Sequence, residues 1–99
     1  MIVHIAIFKW KKDTNRKKIS KLMRNVRKLR GKCKGVIDIR TRKNFSKYSK
    51  GFTHTIIVIC KNRASLKAYR RHPEHVKIAK EIATMEKDSI GIDFEISLW

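Results

Sequence analysis

The chain is 99 residues long, 41% apolar and 34% charged, which suits a single domain over residues 1–99 and excludes a disordered chain. Lys and Arg number 26 against 8 acids, a formal charge of +18, so a partner met through surface charge is an anion. No apolar run nears the roughly 20 residues of a membrane span. The N-terminus has neither a leading basic stretch nor a small-residue cleavage site, so a cytoplasmic protein with no membrane partner is expected.

Ile2 to Lys11 reads as a strand, with Val3, Ile5 and Ile7 alternating with His4, Ala6 and Phe8, so both of its faces need cover. Asp13 and Thr14 are N-cap candidates for a helix running to about Arg30, with an apolar stripe of Ile19, Leu22, Met23, Val26 and Leu29. Gly31 ends it. Val36 to about Lys43 is a second strand, with Ile37, Ile39 and Thr41 on one face and Asp38, Arg40 and Arg42 on the other. Asn44 to Gly51 is a polar loop carrying Phe45 and Tyr48. Phe52 to Lys61 is a β-branched third strand.

Asn62 is placed to cap a helix from Arg63 to about Arg71. Pro73 interrupts it, and a second helical segment follows to about Met85. The last element alternates Ile90, Ile92, Phe94, Ile96 and Leu98 with Gly91, Asp93, Glu95 and Ser97. Strand, helix, strand, strand, broken helix, strand is an α+β, ferredoxin-like split βαβ: a four-stranded antiparallel sheet with helices on one face. The other apolar face is then uncovered, and stacking two such faces in a homodimer covers both. Cys33 and Cys60 form no C-x-x-C pair and read as two reduced thiols.

Four stretches carry a resemblance. The chain opens Met1-Ile2-Val3-His4-Ile5-Ala6-Ile7-Phe8, and the third strand begins Gly51-Phe52-Thr53-His54. Later come Tyr69-Arg70-Arg71-His72-Pro73-Glu74-His75 and Ile92-Asp93-Phe94-Glu95. In this order they resemble the stress-responsive A/B-barrel (Dabb) family over essentially the whole chain. Through the family's plant polyketide cyclase, olivetolic acid cyclase, the resemblance implies an aldol condensation run without metal or cofactor. It implies Tyr69 and His75 as the catalytic pair, His4, His54 and His72 as further pocket residues, and a small carbonyl compound as ligand.

The residues make chemical sense of this. A histidine titrates near neutrality and accepts a proton from carbon beside a carbonyl, and a tyrosine hydroxyl donates to the enolate oxygen that develops. His75 stands two residues past Pro73 in the first turn of a helix, where the dipole favours neutral imidazole. The plainer alternative makes His4 and His54 satisfied core histidines, His72 a helix cap and Tyr69 a packing residue. The four histidines are also metal-ligand types, but no cysteine or carboxylate stands at a telling spacing, so neither metal nor cofactor is assigned.

The charge departs from the family. Between Lys9 and Lys50 lie 18 of the 26 basic residues and only two acids, Asp13 and Asp38. A first helix carrying Lys17, Lys21 and Lys28, beside a loop carrying Phe45 and Tyr48, is the pattern of a nucleic-acid or other polyanion binder, the alternative function.

Overall fold

The structure, a computed structural model, describes residues 1–97, so Leu98 lies outside it. Strand β1 (Ile2–Trp10) leads to helix α1 (Arg16–Lys28) and a 3₁₀ turn (Leu29–Gly31). Strands β2 (Val36–Lys43) and β3 (His54–Cys60) follow, then helices α2 (Arg63–Arg71) and α3 (Pro73–Met85) and strand β4 (Glu86–Glu95). The strands form one antiparallel sheet in the order β2-β3-β1-β4, which leaves β2 and β4 as its edges. This is the α+β arrangement expected from the sequence.

The helices share one face of the sheet. Ile19, Leu22, Met23 and Val26 of α1 pack with Leu29, Ile39, Ile56, Val58, Cys60, Leu66 and Ile78. Leu29 and Val58 are 0% exposed, so Leu29→Ala costs about 2–5 kcal/mol by the usual cavity penalty. Register places Val3, Ile5 and Ile7 beside Ile57, Ile59, Ile90, Ile92 and Phe94 on the opposite face. There Ile90, Ile92 and Phe94 remain 42–46% exposed, an apolar surface that no element among the described residues covers. Among the described residues no helix is long and apolar enough to cross a membrane.

Several expected boundaries move. Asn15, not Asp13 or Thr14, caps α1, its Oδ1 accepting from the Lys17 amide at 2.8 Å. Thr14 instead donates its hydroxyl to the Lys11 carbonyl at 2.7 Å and so braces the loop. Ile37 leaves the face of Ile39 because β2 bulges: Val36 pairs with Cys60 and Asp38 with the adjacent Ile59, so Ile37 has no partner and is exposed. β4 begins at Glu86 rather than near Ile90. Pairing of Glu86 and Asp88 with Trp10 and Lys9 draws a polar, non-alternating stretch into the sheet. Cys33 and Cys60, far apart in sequence, are buried free thiols in one core cluster.

Candidate functional site

The junction of α2 and α3 is built by its own sequence. Asn62 starts α2 by accepting from the Ser65 amide at 2.8 Å, and Leu66 and Tyr69 turn inward. His72 precedes Pro73 and takes the extended conformation that position favours, with φ −59° and ψ 133°. Its Nδ1 accepts from the Glu74 amide at 3.1 Å, and Pro73 occupies the first helical position of α3. His72 therefore caps α3.

One turn into α3, the His75 Nδ1 lies 3.1 Å from the Arg70 carbonyl oxygen. A carbonyl only accepts, so Nδ1 carries the hydrogen and Nε2 keeps a free lone pair. The bond also occupies one of the orphan carbonyls at the end of α2. The His75 ring stands over Tyr69, with centroids 4.6 Å apart and planes at 59°. Tyr69 is 3% exposed.

Burial, then the neighbouring Cys33 and Cys60, push the Tyr69 phenol well above its ordinary range. Burial also pulls His75 below the usual imidazole value, against the Arg70 carbonyl bond and with help from the charges of His4 and Arg70. At neutral pH the pair is a phenol that keeps its proton beside an imidazole with an empty acceptor.

The third component comes from the sheet. His4 on β1 lies directly across from Asp93 on β4, and His4 Nδ1 donates to Asp93 Oδ1 at 2.5 Å. Arg70 donates to the other carboxylate oxygen at 2.6 Å. Burial raises Asp93, but the hydrogen bonds from Arg70 and His4 outweigh it and hold the carboxyl below its ordinary value. One residue, Arg70, thus fixes His75 through its carbonyl and Asp93 through its guanidinium. A cleft of about 470 Å³ opens beside this network between α2 and β4, with Leu66, Arg70, Asp93 and Phe94 on its walls. That volume lies in the small-molecule range, although neither Tyr69 nor His75 lines it.

The structure brings Tyr69, His75 and His4 to one end of the sheet and does not bring His54 with them. His54 pairs with Phe8, four positions along β1 from His4. Its Nδ1 accepts from the Trp10 indole N–H at 2.9 Å and shares the Thr53 hydroxyl at 2.8 Å. Burial, then the charge of Lys43, lowers its affinity for a proton. Lys17, Lys21 and Lys28 stand exposed on α1, and none of them lines the clefts beside His54. Arg70 and Asp93 were missed in the sequence. The available signal was a carboxylate in the apolar alternation Ile92-Asp93-Phe94, together with an antiparallel β1–β4 pairing that faces it to His4. Among the described residues no three His, Cys, Asp or Glu side chains converge as a metal-holding group.

Residues 2–96 match the model of the Stress responsive A/B Barrel Domain family. The chain belongs to this family. No curated protein matches the sequence. Among solved structures, a protein of Arabidopsis thaliana superposes with a TM-score of 0.89 at 19% identity, over 98% of this chain and 96% of that one. A dimeric ferredoxin-like protein of unknown function from Thermobifida fusca gives 0.84 at 19% identity, over 96% and 90%. A hydroxynitrile lyase from Passiflora edulis gives 0.88 at 16% identity, over 99% and 94%. At these identities the likeness establishes the fold of this Dabb domain.

Proposed function

We propose that this Dabb protein performs cofactor-free acid–base chemistry on a small carbonyl compound, at the junction of α2 and α3. The observation that carries the reading is the His75–Arg70 carbonyl bond, which leaves Nε2 as an acceptor beside the protonated Tyr69. His75 Nε2 takes a proton from carbon next to the carbonyl, and the Tyr69 hydroxyl donates a hydrogen bond to the enolate oxygen as charge moves onto it. Arg70, Asp93 and His4 act as positioning residues that hold the edge strand to the helix junction. A lyase on the same fold, from Passiflora edulis, supports a small-molecule role. We further infer a homodimer closed over the apolar sheet face, in keeping with neighbours described as dimeric.

The test is solvent deuterium uptake at the α-carbon of a panel of small ketones and 1,3-diketones, followed by NMR. Catalysed uptake is expected, with Tyr69→Phe and His75→Ala each lowering it by about 10²–10⁴-fold. Uptake that both variants retain removes the assignment, as does a panel that shows none above buffer.

A further inference from the structure

A second concave region lies on the helix side of the sheet, away from Tyr69 and His75. Two clefts, of about 350 and 540 Å³, share Ile19, Ser20, Lys43 and His54 and form one continuous groove between α1 and the adjoining ends of β2 and β3. Arg24, Arg27, Arg42 and Lys43 line one end, and Lys11, Lys12 and Arg16 the other. No Asp or Glu lines either cleft. Among the described residues no basic side chain of α1 makes an ion pair, because Asp38 is taken by Arg30 and Arg40. The first turn of α1 has no acid to answer its dipole, while Arg16, Lys17 and Lys18 oppose it. Like charges four apart, Lys17 with Lys21 and Arg24 with Lys28, repel along the helix. An anion in the groove answers the unpaired charges of Arg16, Arg24 and Arg27, the basic residues of α1 that line it.

The loop beside the groove supplies a different chemistry. Phe45 is 100% and Tyr48 76% exposed, between the groove residues Asn44 and Gly51. Large aromatic rings left in water beside Lys43, Lys47 and Lys50 make a stacking platform next to a phosphate-binding channel. Stacking of this kind needs unpaired bases. The basic side chains line a concave channel, which a flexible strand can follow and a flat bilayer cannot enter.

We propose that the groove between α1 and the β2–β3 ends binds single-stranded nucleic acid, its phosphates on Arg24, Arg27, Arg42 and Lys43 and its bases on Phe45 and Tyr48. Four phosphate contacts on a single strand set a slope of about −3 in log affinity against log salt, or roughly 50-fold between 50 and 200 mM.

The experiment is fluorescence anisotropy of the full chain, freed of nucleic acid, with a labelled 20-nucleotide strand across that salt range. A matching duplex and vesicles containing phosphatidylserine are the comparisons. Two charge reversals of equal size separate a groove from a diffuse field. Arg24→Glu with Arg42→Glu and Lys43→Glu is expected to abolish binding, and Lys17→Glu with Lys21→Glu and Lys28→Glu to weaken it less than tenfold. Phe45→Ala with Tyr48→Ala touches only exposed rings and keeps the test decisive if the groove triple fails to fold. A loss of at least fivefold for the single strand is expected, with none for the duplex. Equal losses in the two triples, or unchanged binding by the aromatic double variant, overturn the proposal. So does tighter binding of duplex or vesicle, or no binding at 50 mM salt.

Discussion

His4 and His54 stand on the same face of the same sheet, one on β1 and one on β3, and do opposite things with the same nitrogen. His4 Nδ1 donates to Asp93, while His54 Nδ1 accepts from Trp10. A carboxylate accepts only and an indole N–H donates only, so each neighbour dictates the tautomer opposite to the other. The surroundings diverge in step. The His4 end carries a carboxylate and the Tyr69–His75 pair, and the His54 end carries Lys43, Arg24 and Arg42 with no acid. On the proposals above, one end would move protons and the other hold anions. Residue type and strand face are identical at both, and only the partner differs.

The largest expected effect tests whether the ends are separate sites. His75→Ala should lower α-carbon exchange by about 10²–10⁴-fold, while His54→Gln changes it less than threefold. Comparable losses would merge the two ends into one site.

Next comes the acid response. Both His54 and His75 are held below the ordinary imidazole value, so the unfolded chain binds protons more readily than the folded one as pH falls past about 6.5. Stability should be level above that pH and decline below it, by at most about 1.4 kcal/mol per pH unit for each group. Asp38, Asp93 and Glu74, held low chiefly by hydrogen bonds to basic neighbours, extend the decline into the carboxylate range. Urea unfolding from pH 8 to 4 measures it. In His54→Gln the first decline should be shallower, and an unchanged curve would remove His54 from the account.

Smaller again are the single partners. Asp93→Ala and Trp10→Phe should each cost about 1 kcal/mol, the net worth of a hydrogen bond, discounted at Asp93 for its exposure. Only the first should disturb the His4 ring nitrogens in ¹⁵N spectra, and only the second those of His54. The smallest effect is Lys43→Gln, which should raise the titration midpoint of His54 and leave that of His75 in place.

How much of this was legible in the sequence depended on the range of the interactions. Strong alternation in β1 and β3, the α1 stripe and the Pro73 break are local patterns, and they placed the layers correctly. The pairing of Tyr69 with His75 came from the family resemblance, and the structure sets their rings 4.6 Å apart across the α2–α3 junction. The His4–Asp93 bond joins residues 89 apart, and the separation of His54 from His75 depends on strand register, which composition does not record. The start of β4 was missed for the same reason: Glu86 to Ser89 has no apolar alternation and is extended because β1 pairs with it. Asn15 replaced the two earlier cap candidates because Thr14 was already committed to the Lys11 carbonyl.

β4 has a single neighbour in the sheet, β1, and its side chains from Lys87 to Glu95 are all exposed. Asp93 therefore belongs to the strand with the fewest restraints, and its hold on His4 and Arg70 lasts only while that ladder is zipped. Fraying from the C-terminal end would first break the mutual bonds of Met1 and Ile96, at 2.8 and 2.9 Å, and then release the carboxylate three residues further in. Amide exchange along β4 is then a clock for how long the His4–Asp93–Arg70 network stays assembled.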